Sequence, residues 1–217
     1  MNTRNNKYRI ILASESPRRK RLLEQAKIPF EVIPSRIDEE AIEVLLPEIH
    51  ARTLAEAKAG EVSRNHPERW VIGGDSIVVI DDTIINKPAS RAHAYEMLSQ
   101  LSGRTHRVIT GYSIQCRAIN HCQSDICITE VTFKTLSDAE IRWYLDTPEP
   151  WDKAGAYAIQ GIGAFMVKSI QGSYTNVVGM PVCEVWDHLL ENGVIDRVSP
   201  QINIAGSPGA ERKFVNK

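Results

Sequence analysis

The 217-residue chain lacks any window approaching the ~18 apolar residues of a membrane span. Even its most apolar run, Trp70 to Ile80, is broken by Asp75. The opening residues MNTRNNKYRI are polar, and the apolar stretch after them is too short for a signal-peptide core, so no secretory signal is expected. The chain reads as a cytoplasmic protein with no membrane partner. It lacks a charge excess too: 26 Lys and Arg stand against 27 Asp and Glu, which excludes a broad basic field for nucleic acid. Any polyanion must be held by a local cluster. Cysteine is scarce: Cys116, Cys122, Cys127 and Cys183 form no CxxC pair, so zinc is disfavoured and reduced, mostly buried thiols are expected. Repeats and low-complexity tracts are absent. Hydrophobic residues at 42% are enough for a sizeable core, and the length fits one enzyme-sized domain over residues 1–198. The remainder, 199–217, carries few large apolar side chains and is expected to be a loosely ordered tail.

What is present is α/β punctuation. Tyr8–Ala13 reads as a buried strand, and Pro17 behind Ser16 starts a helix ending near Lys27. Phe30–Ile33 reads as a second strand and 47–65 as a helix. Trp70–Asp81 is a central strand that turns at Asp81-Asp82 and returns through Asn86, giving a hairpin with an acid in its buried arm. Helical composition follows over Ser90–Leu101. Arg107–Ile119 and Ile126–Thr135 alternate as paired strands, with a turn expected around His121 and Cys122. Ser137 and Glu140 make a capping box for a helix to Leu145. A strand over Ala164–Ile170 and a last helix over Pro181–Glu191 complete the reading.

Four segments carry candidate chemistry. In Ser14-Glu15-Ser16-Pro17-Arg18-Arg19, two hydroxyls and two arginines sit at a helix N-terminus, whose free N–H groups and partial positive charge suit a phosphate. The plainer account is two arginines solvating a surface helix. Asp75, set among Val71, Ile72, Ile77, Val78 and Val79, must find a cation, metal or water if buried, which makes it a candidate base or ligand. A strand-end Asp capping a turn is the alternative. Lys58 and Lys87 taken singly are ordinary surface lysines. The run Asp152–Gly161 is rich in small residues that let a ligand approach the backbone, with Gln160 offering one donor and one acceptor, although a glycine loop by itself is a weak signal. Gly172–Pro181 reads equally as a turn into the last helix. Asp38, Glu39 and Glu40 read as solvated loop acids and stay outside the candidate site.

Together these segments resemble the Maf family of nucleoside-triphosphate pyrophosphatases. Its Ser-x-Ser-Pro-Arg-Arg pattern is matched by Ser14 to Arg19, its Ala-Asp-Thr by Gly74-Asp75-Ser76, and its Lys-Pro by Lys87-Pro88. Leu-Ser-Gly-x-x-His is Leu101 to His106, Asp-Lys-Ala-Gly-x-Tyr-x-Ile-Gln-Gly is Asp152 to Gly161, and the closing Asn-Val-x-Gly-Leu-Pro is Asn176 to Pro181 with Met180 for Leu. The departures are Ser76 for Thr, Gly73-Gly74 for Ala, and Ala158 for Gly. The resemblance implies an elongated mixed β-sheet flanked by helices, with two lobes and a central cleft, of the Maf and inosine-triphosphatase type. It implies Asp75 as catalytic acid/base, Arg18, Ser76 and Gln160 as positions tuning substrate choice, Arg19, Lys58 and Lys87 as phosphate contacts, and Ser14 as a cradle hydroxyl. A divalent cation, Mg²⁺ or Mn²⁺, is the implied cofactor, with ligands not assigned. The implied reaction converts dTTP or UTP to the monophosphate and pyrophosphate, since the glycine-loop form resembles the pyrimidine branch of the family. The Gln160 amide can pair with N3–H and a carbonyl of uracil or thymine. A 7-methyl-GTP or ITP-type house-cleaning enzyme and a non-catalytic regulator of septum formation are the alternatives, and a homodimer is admissible.

Overall fold

The computed structural model describes residues 9–42 and 46–196. Strand β1 (Ile10–Leu12) feeds α1 (Pro17–Gln25), where Ser16 caps the first turn by accepting from the Arg19 amide at 3.4 Å. Next come β2 (Phe30–Val32), α2 (Pro47–Asn65), β3 (Trp70–Ile80), β4 (Thr83–Ile85), α3 (Arg91–Leu101), β5 (Thr105–Cys116) and β6 (His121–Phe133). The Ser137/Glu140 capping box opens α4 (Asp138–Leu145), and short 3-10 turns lead to β7 (Val167–Gln171), α5 (Tyr174–Val178) and α6 (Val182–Glu191).

The strands form one mixed sheet ordered β2-β1-β3-β5-β6-β7, with β4 also on β3. β1 is parallel to both its neighbours; the other pairings are antiparallel. Because side chains alternate across a strand, the sheet has two apolar faces to cover. On one face Ile10, Leu12, Ile72 and Ile114 pack under α1 and α6, while Val78, Val108, Val131 and Phe133 pack under α3 and α4. These two cores are the two lobes. On the opposite face α2 crosses β3 and β5, seated on Ile11 and Val71 at one end and on Ile77 and Ile109 at the other.

Two glycines set how close α2 comes. A Cβ on Gly73 would lie 2.3 Å from the Ala55 carbonyl oxygen, and one on Gly111 would lie 2.2 Å from that of Ala51. The facing helix positions Ala51, Ala55 and Ala59 are small as well, so helix backbone rests on sheet backbone.

Several sequence expectations are corrected. The β5–β6 turn is Arg117–Asn120, with Asn120 in the left-handed region at φ 52°, where its short polar side chain is tolerated. His121 and Cys122 therefore belong to β6 and not to the turn. β7 begins at Val167, since Ile162–Met166 form a 3-10 turn. The segment read as a turn before the last helix contains α5, a single helical turn capped by Ser173. All four thiols are free, but only Cys116 is buried: Cys122 is exposed and Cys127 half-buried because the first half of β6 is only partly covered, and Cys183 is exposed in the first turn of α6. The 199–217 tail lies outside the described residues. Among those described, no helix is long and apolar enough to cross a membrane.

Candidate active site

The edge of β3 is the origin of the site. β1 pairs with Trp70–Ile72 and β4 with Val78–Ile80, so among the described residues the stretch between them is bonded on that side to no strand. The other side is paired throughout with β5. The gap lies at the carboxyl end of β1, where the parallel part of the sheet meets the antiparallel part. Ligands in open α/β sheets bind at such switch points. Here it opens on a cleft of about 990 Å³ lined from both lobes. Ser14, Arg18, Arg19, Lys58, Asp75, Ser76, Lys87 and Gln160 all line it.

Asp75 and Ser76 are neighbours in an extended strand and point to opposite faces. Asp75 turns toward α2, where Lys58 Nζ donates to Asp75 Oδ1 at 2.8 Å with both side chains almost wholly buried. The close seating of α2 on Gly73 is what brings Lys58 within reach. Lys58 is thus no ordinary surface lysine, and Asp75 is no turn cap. The same ammonium lies 2.9 Å from Glu39 Oε1, so one cation bridges two carboxylates at the cleft. Glu39 is the residue that sequence reasoning missed. Its acidic neighbours made it look solvated, and only the tertiary contact with α2 distinguishes it.

Ser76 turns the other way. Its hydroxyl accepts from Arg19 at 3.1 Å and lies 2.8 Å from the Thr110 hydroxyl. Arg19 is fully engaged in the cleft wall: Nε donates to the Gly179 carbonyl at 2.8 Å and another guanidinium nitrogen to Ser14 Oγ at 3.1 Å. Burial pulls the Arg19 pKa down and the nearby Asp75 carboxylate opposes that shift. Arg19 therefore cross-links α1, β3 and the end of α5, and it is not a solvating surface arginine. Gly179 can serve as that acceptor because it closes α5 with φ 130°, a conformation L side chains rarely adopt.

Arg18 lies at the mouth of the cleft, 30% exposed, and reaches across to Asp152 Oδ2 at 3.1 Å. Burial pushes the Asp152 carboxyl up, but Lys153 and Arg18 outweigh it and hold the pKa below the usual range. Lys87 is exposed on the rim and Gln160 is half-buried in the wall facing α1. Two motif residues lie behind the wall. His106 Nε2 meets the Tyr157 hydroxyl at 2.9 Å, joining β5 to the glycine loop, and burial drives the His106 pKa down to about 4. The Asn176 amide donates to the Val108 carbonyl at 3.1 Å and to Thr129 Oγ1 at 2.9 Å, stitching α5 to β5 and β6.

Among the described residues no three His, Cys, Asp or Glu side chains cluster as a metal cage. Asp75 and Glu39 supply hard oxygen donors at the cleft, each with one oxygen on the Lys58 ammonium and a second oxygen for which no protein partner is found among the described residues. That donor set suits Mg²⁺ or Mn²⁺ completed by phosphate oxygens and water, and it does not suit a zinc site.

An interrupted parallel-to-antiparallel sheet edge, with one bridged carboxylate pair and cations gathered from separate elements, defines an α/β protein built to hold a compact polyanion. The chain belongs to the Maf-like protein family, whose match covers residues 9–192. A dTTP/UTP pyrophosphatase from Syntrophotalea carbinolica is 50% identical over 189 residues, covering 86% of each chain. Another of that name from Geotalea uraniireducens is 48% identical over 190 residues, covering 88% of this chain and 98% of its own. Among solved structures, the Ham1 protein of Staphylococcus aureus aligns at a TM-score of 0.42 and 13% identity over 85% of this chain and 98% of its own.

Proposed function

We propose that the protein is a nucleoside-triphosphate pyrophosphatase that hydrolyses dTTP and UTP to the monophosphate and pyrophosphate. The observation that carries the reading is Asp75, buried at the open edge of β3 and paired with the buried Lys58, whose ammonium also meets the exposed Glu39, in a cleft of nucleotide size. Half-identity to relatives named for this activity supports it over nearly the whole chain. In this reading Asp75 orients the attacking water at the α-phosphorus and accepts its proton, with Lys58 fixing the carboxylate in place. Arg18 and Lys87, at the mouth and rim, neutralise phosphate charge, and Arg18 exchanges Asp152 for the substrate as it does so. Arg19 and Ser14 shape the wall, and Ser76 tunes substrate choice through the hydroxyl network it shares with Thr110. Gln160 pairs with the pyrimidine edge. Asp75 and Glu39 would hold Mg²⁺ or Mn²⁺ together with the phosphates, and such an ion, when bound, polarises the phosphoryl oxygens. The enzyme works in the cytoplasm, singly or as a homodimer.

The test is a panel of dTTP, UTP, CTP, ITP and 7-methyl-GTP at equal concentration, with pyrophosphate release as readout and Mg²⁺ or Mn²⁺ supplied or chelated. Turnover highest on dTTP and UTP and abolished by chelation is expected. Preference for ITP or 7-methyl-GTP overturns the pyrimidine assignment, and no release from any triphosphate overturns the reaction.

A further inference from the structure

Gln160 has no fixed framework of its own; the chain around it is held from behind. The Gly161 amide donates to the Ala158 carbonyl at 3.4 Å, a turn that puts Ile159 and Gln160 at its middle. The two residues that follow are pinned on a single side chain. The Ile162 amide donates to Glu149 Oε2 at 2.8 Å and the Gly163 amide to Glu149 Oε1, also at 2.8 Å. Tyr144, a fully buried residue of α4, donates its hydroxyl to the same Oε1 at 2.9 Å. Burial raises the Tyr144 pKa and the bond to Glu149 raises it further, so this donor keeps its proton. Glu149 is itself steadied, because its carbonyl accepts from Lys153 Nζ at 2.7 Å. The carboxylate sits directly beneath the residue after Gln160: a Cβ on Gly161 would lie 1.7 Å from Glu149 Oε2. Glu149 does not line the cleft, so whatever it contributes passes through the loop.

We propose that Glu149 is the positioning residue for base recognition, anchoring the 158–163 loop so that Gln160 is presented to the nucleobase at a fixed depth in the cleft. This rests on the pyrimidine pyrophosphatase reading. Both carboxylate oxygens are used as acceptors, and the three donors leave no place for an amide. Glu149→Gln would set its N–H₂ against the Ile162 or the Gly163 amide, donor against donor, and release one anchor. Gly161→Ala reaches the same end differently, since its methyl would overlap the carboxylate and displace it.

The experiment compares the full-length wild type with both variants. Steady-state kinetics on UTP, dTTP, CTP and GTP are read together with amide hydrogen exchange at Ile162 and Gly163. Both variants are expected to exchange faster at those amides, to raise KM for UTP about tenfold, and to lose about tenfold of the preference for UTP over CTP and GTP, the scale of one misplaced recognition contact. Asp75 and Lys58 are remote from the change, so kcat stays within a few-fold. If Glu149→Gln does not fold, Gly161→Ala decides alone. A variant with a loosened loop but wild-type KM and preference overturns the proposal by itself. A wild type without pyrimidine preference removes the parent reading and this one with it.

Discussion

Lys58 shows how far a single contact can shift the meaning of a side chain. Its ammonium bridges Asp75 and the exposed Glu39, and breaking a buried pair such as Lys58–Asp75 by deleting one partner usually costs ~3–5 kcal/mol because the other charge is left uncompensated. Asp75→Asn avoids that penalty: the amide oxygen keeps a contact to Lys58, and Glu39 still meets the charge. The substitution should leave the melting temperature close to wild type while lowering pyrophosphate release ~10²–10⁴-fold, the usual effect of removing a general base. Unchanged turnover would remove Asp75 from the chemistry. His106 gives a prediction of a different kind. Its pKa is pushed down to about 4 by burial, against an ordinary 6.5, so below pH 6.5 the unfolded chain takes a proton that the folded chain refuses. The stability His106 contributes is complete above pH 6.5 and is lost as the pH falls toward 4, on the order of 3 kcal/mol at full effect. Urea midpoints measured from pH 7 to pH 4 should fall less steeply in His106→Gln than in wild type; parallel curves would show that His106 is not the group responsible.

At the scale of elements, the readable parts were those with local punctuation. Ser16-Pro17 and Ser137 with Glu140 name their own helix starts, and alternation finds both β5 and β6, though it misses the first five residues of β6. Where a boundary depends on a neighbour it was not readable. α5 is one turn of helix, too short for a period to appear, and the start of β7 is decided by the 3-10 turn before it. The glycine pair ahead of Asp75 is the sharpest case. It reads as a loosened backbone, yet the two positions have different roles. Gly73 lies under α2 with a would-be Cβ 2.3 Å from the Ala55 carbonyl, backbone that cannot step aside. Gly74 faces Met180 Cε at 3.2 Å, the far end of a flexible side chain, and Arg19 Nε at 3.3 Å, so a methyl there asks for shifts of a few tenths of an ångström in side chains and none in backbone. Gly73→Ala should therefore lift α2, cost ~1–3 kcal/mol or more in urea unfolding, and lower kcat as Lys58 withdraws from Asp75. Gly74→Ala should cost clearly less than Gly73→Ala in the same unfolding measurement, because side chains and not helix backbone have to give. Equal costs at the two positions would disprove the close-approach account.

For the whole molecule, the motifs gathered a site from five separate stretches of chain without saying how they meet. The meeting is made by one strand: β3 runs through both lobes, and its unpaired edge lies between them. Near-neutral net charge is consistent with this, since Arg18, Arg19, Lys58, Lys87 and Lys153 line the cleft while Arg69, Arg104, Arg107 and Arg142 are paired with carboxylates elsewhere. Glu39 and Glu149 escaped sequence reading for the same physical cause, because their partners are brought to them by tertiary structure from α2 and from the 158–163 loop. The boundary of the domain follows from what closes the first core. Val194 and Ile195 are buried against Leu189 and its neighbours, and the Val194 amide donates to the Leu189 carbonyl at 2.8 Å. The family match ends two residues earlier, at 192. A chain cut after residue 198 should keep wild-type turnover and melting temperature. A chain cut after residue 192 loses two buried aliphatic side chains, each contributing up to ~1.5–3 kcal/mol. At this size ~1 kcal/mol lowers the melting temperature by about 2–4 °C, so calorimetry separates the two cuts clearly. If the longer chain melts as low as the shorter one, the catalytic unit extends past residue 198 and the boundary has to be moved.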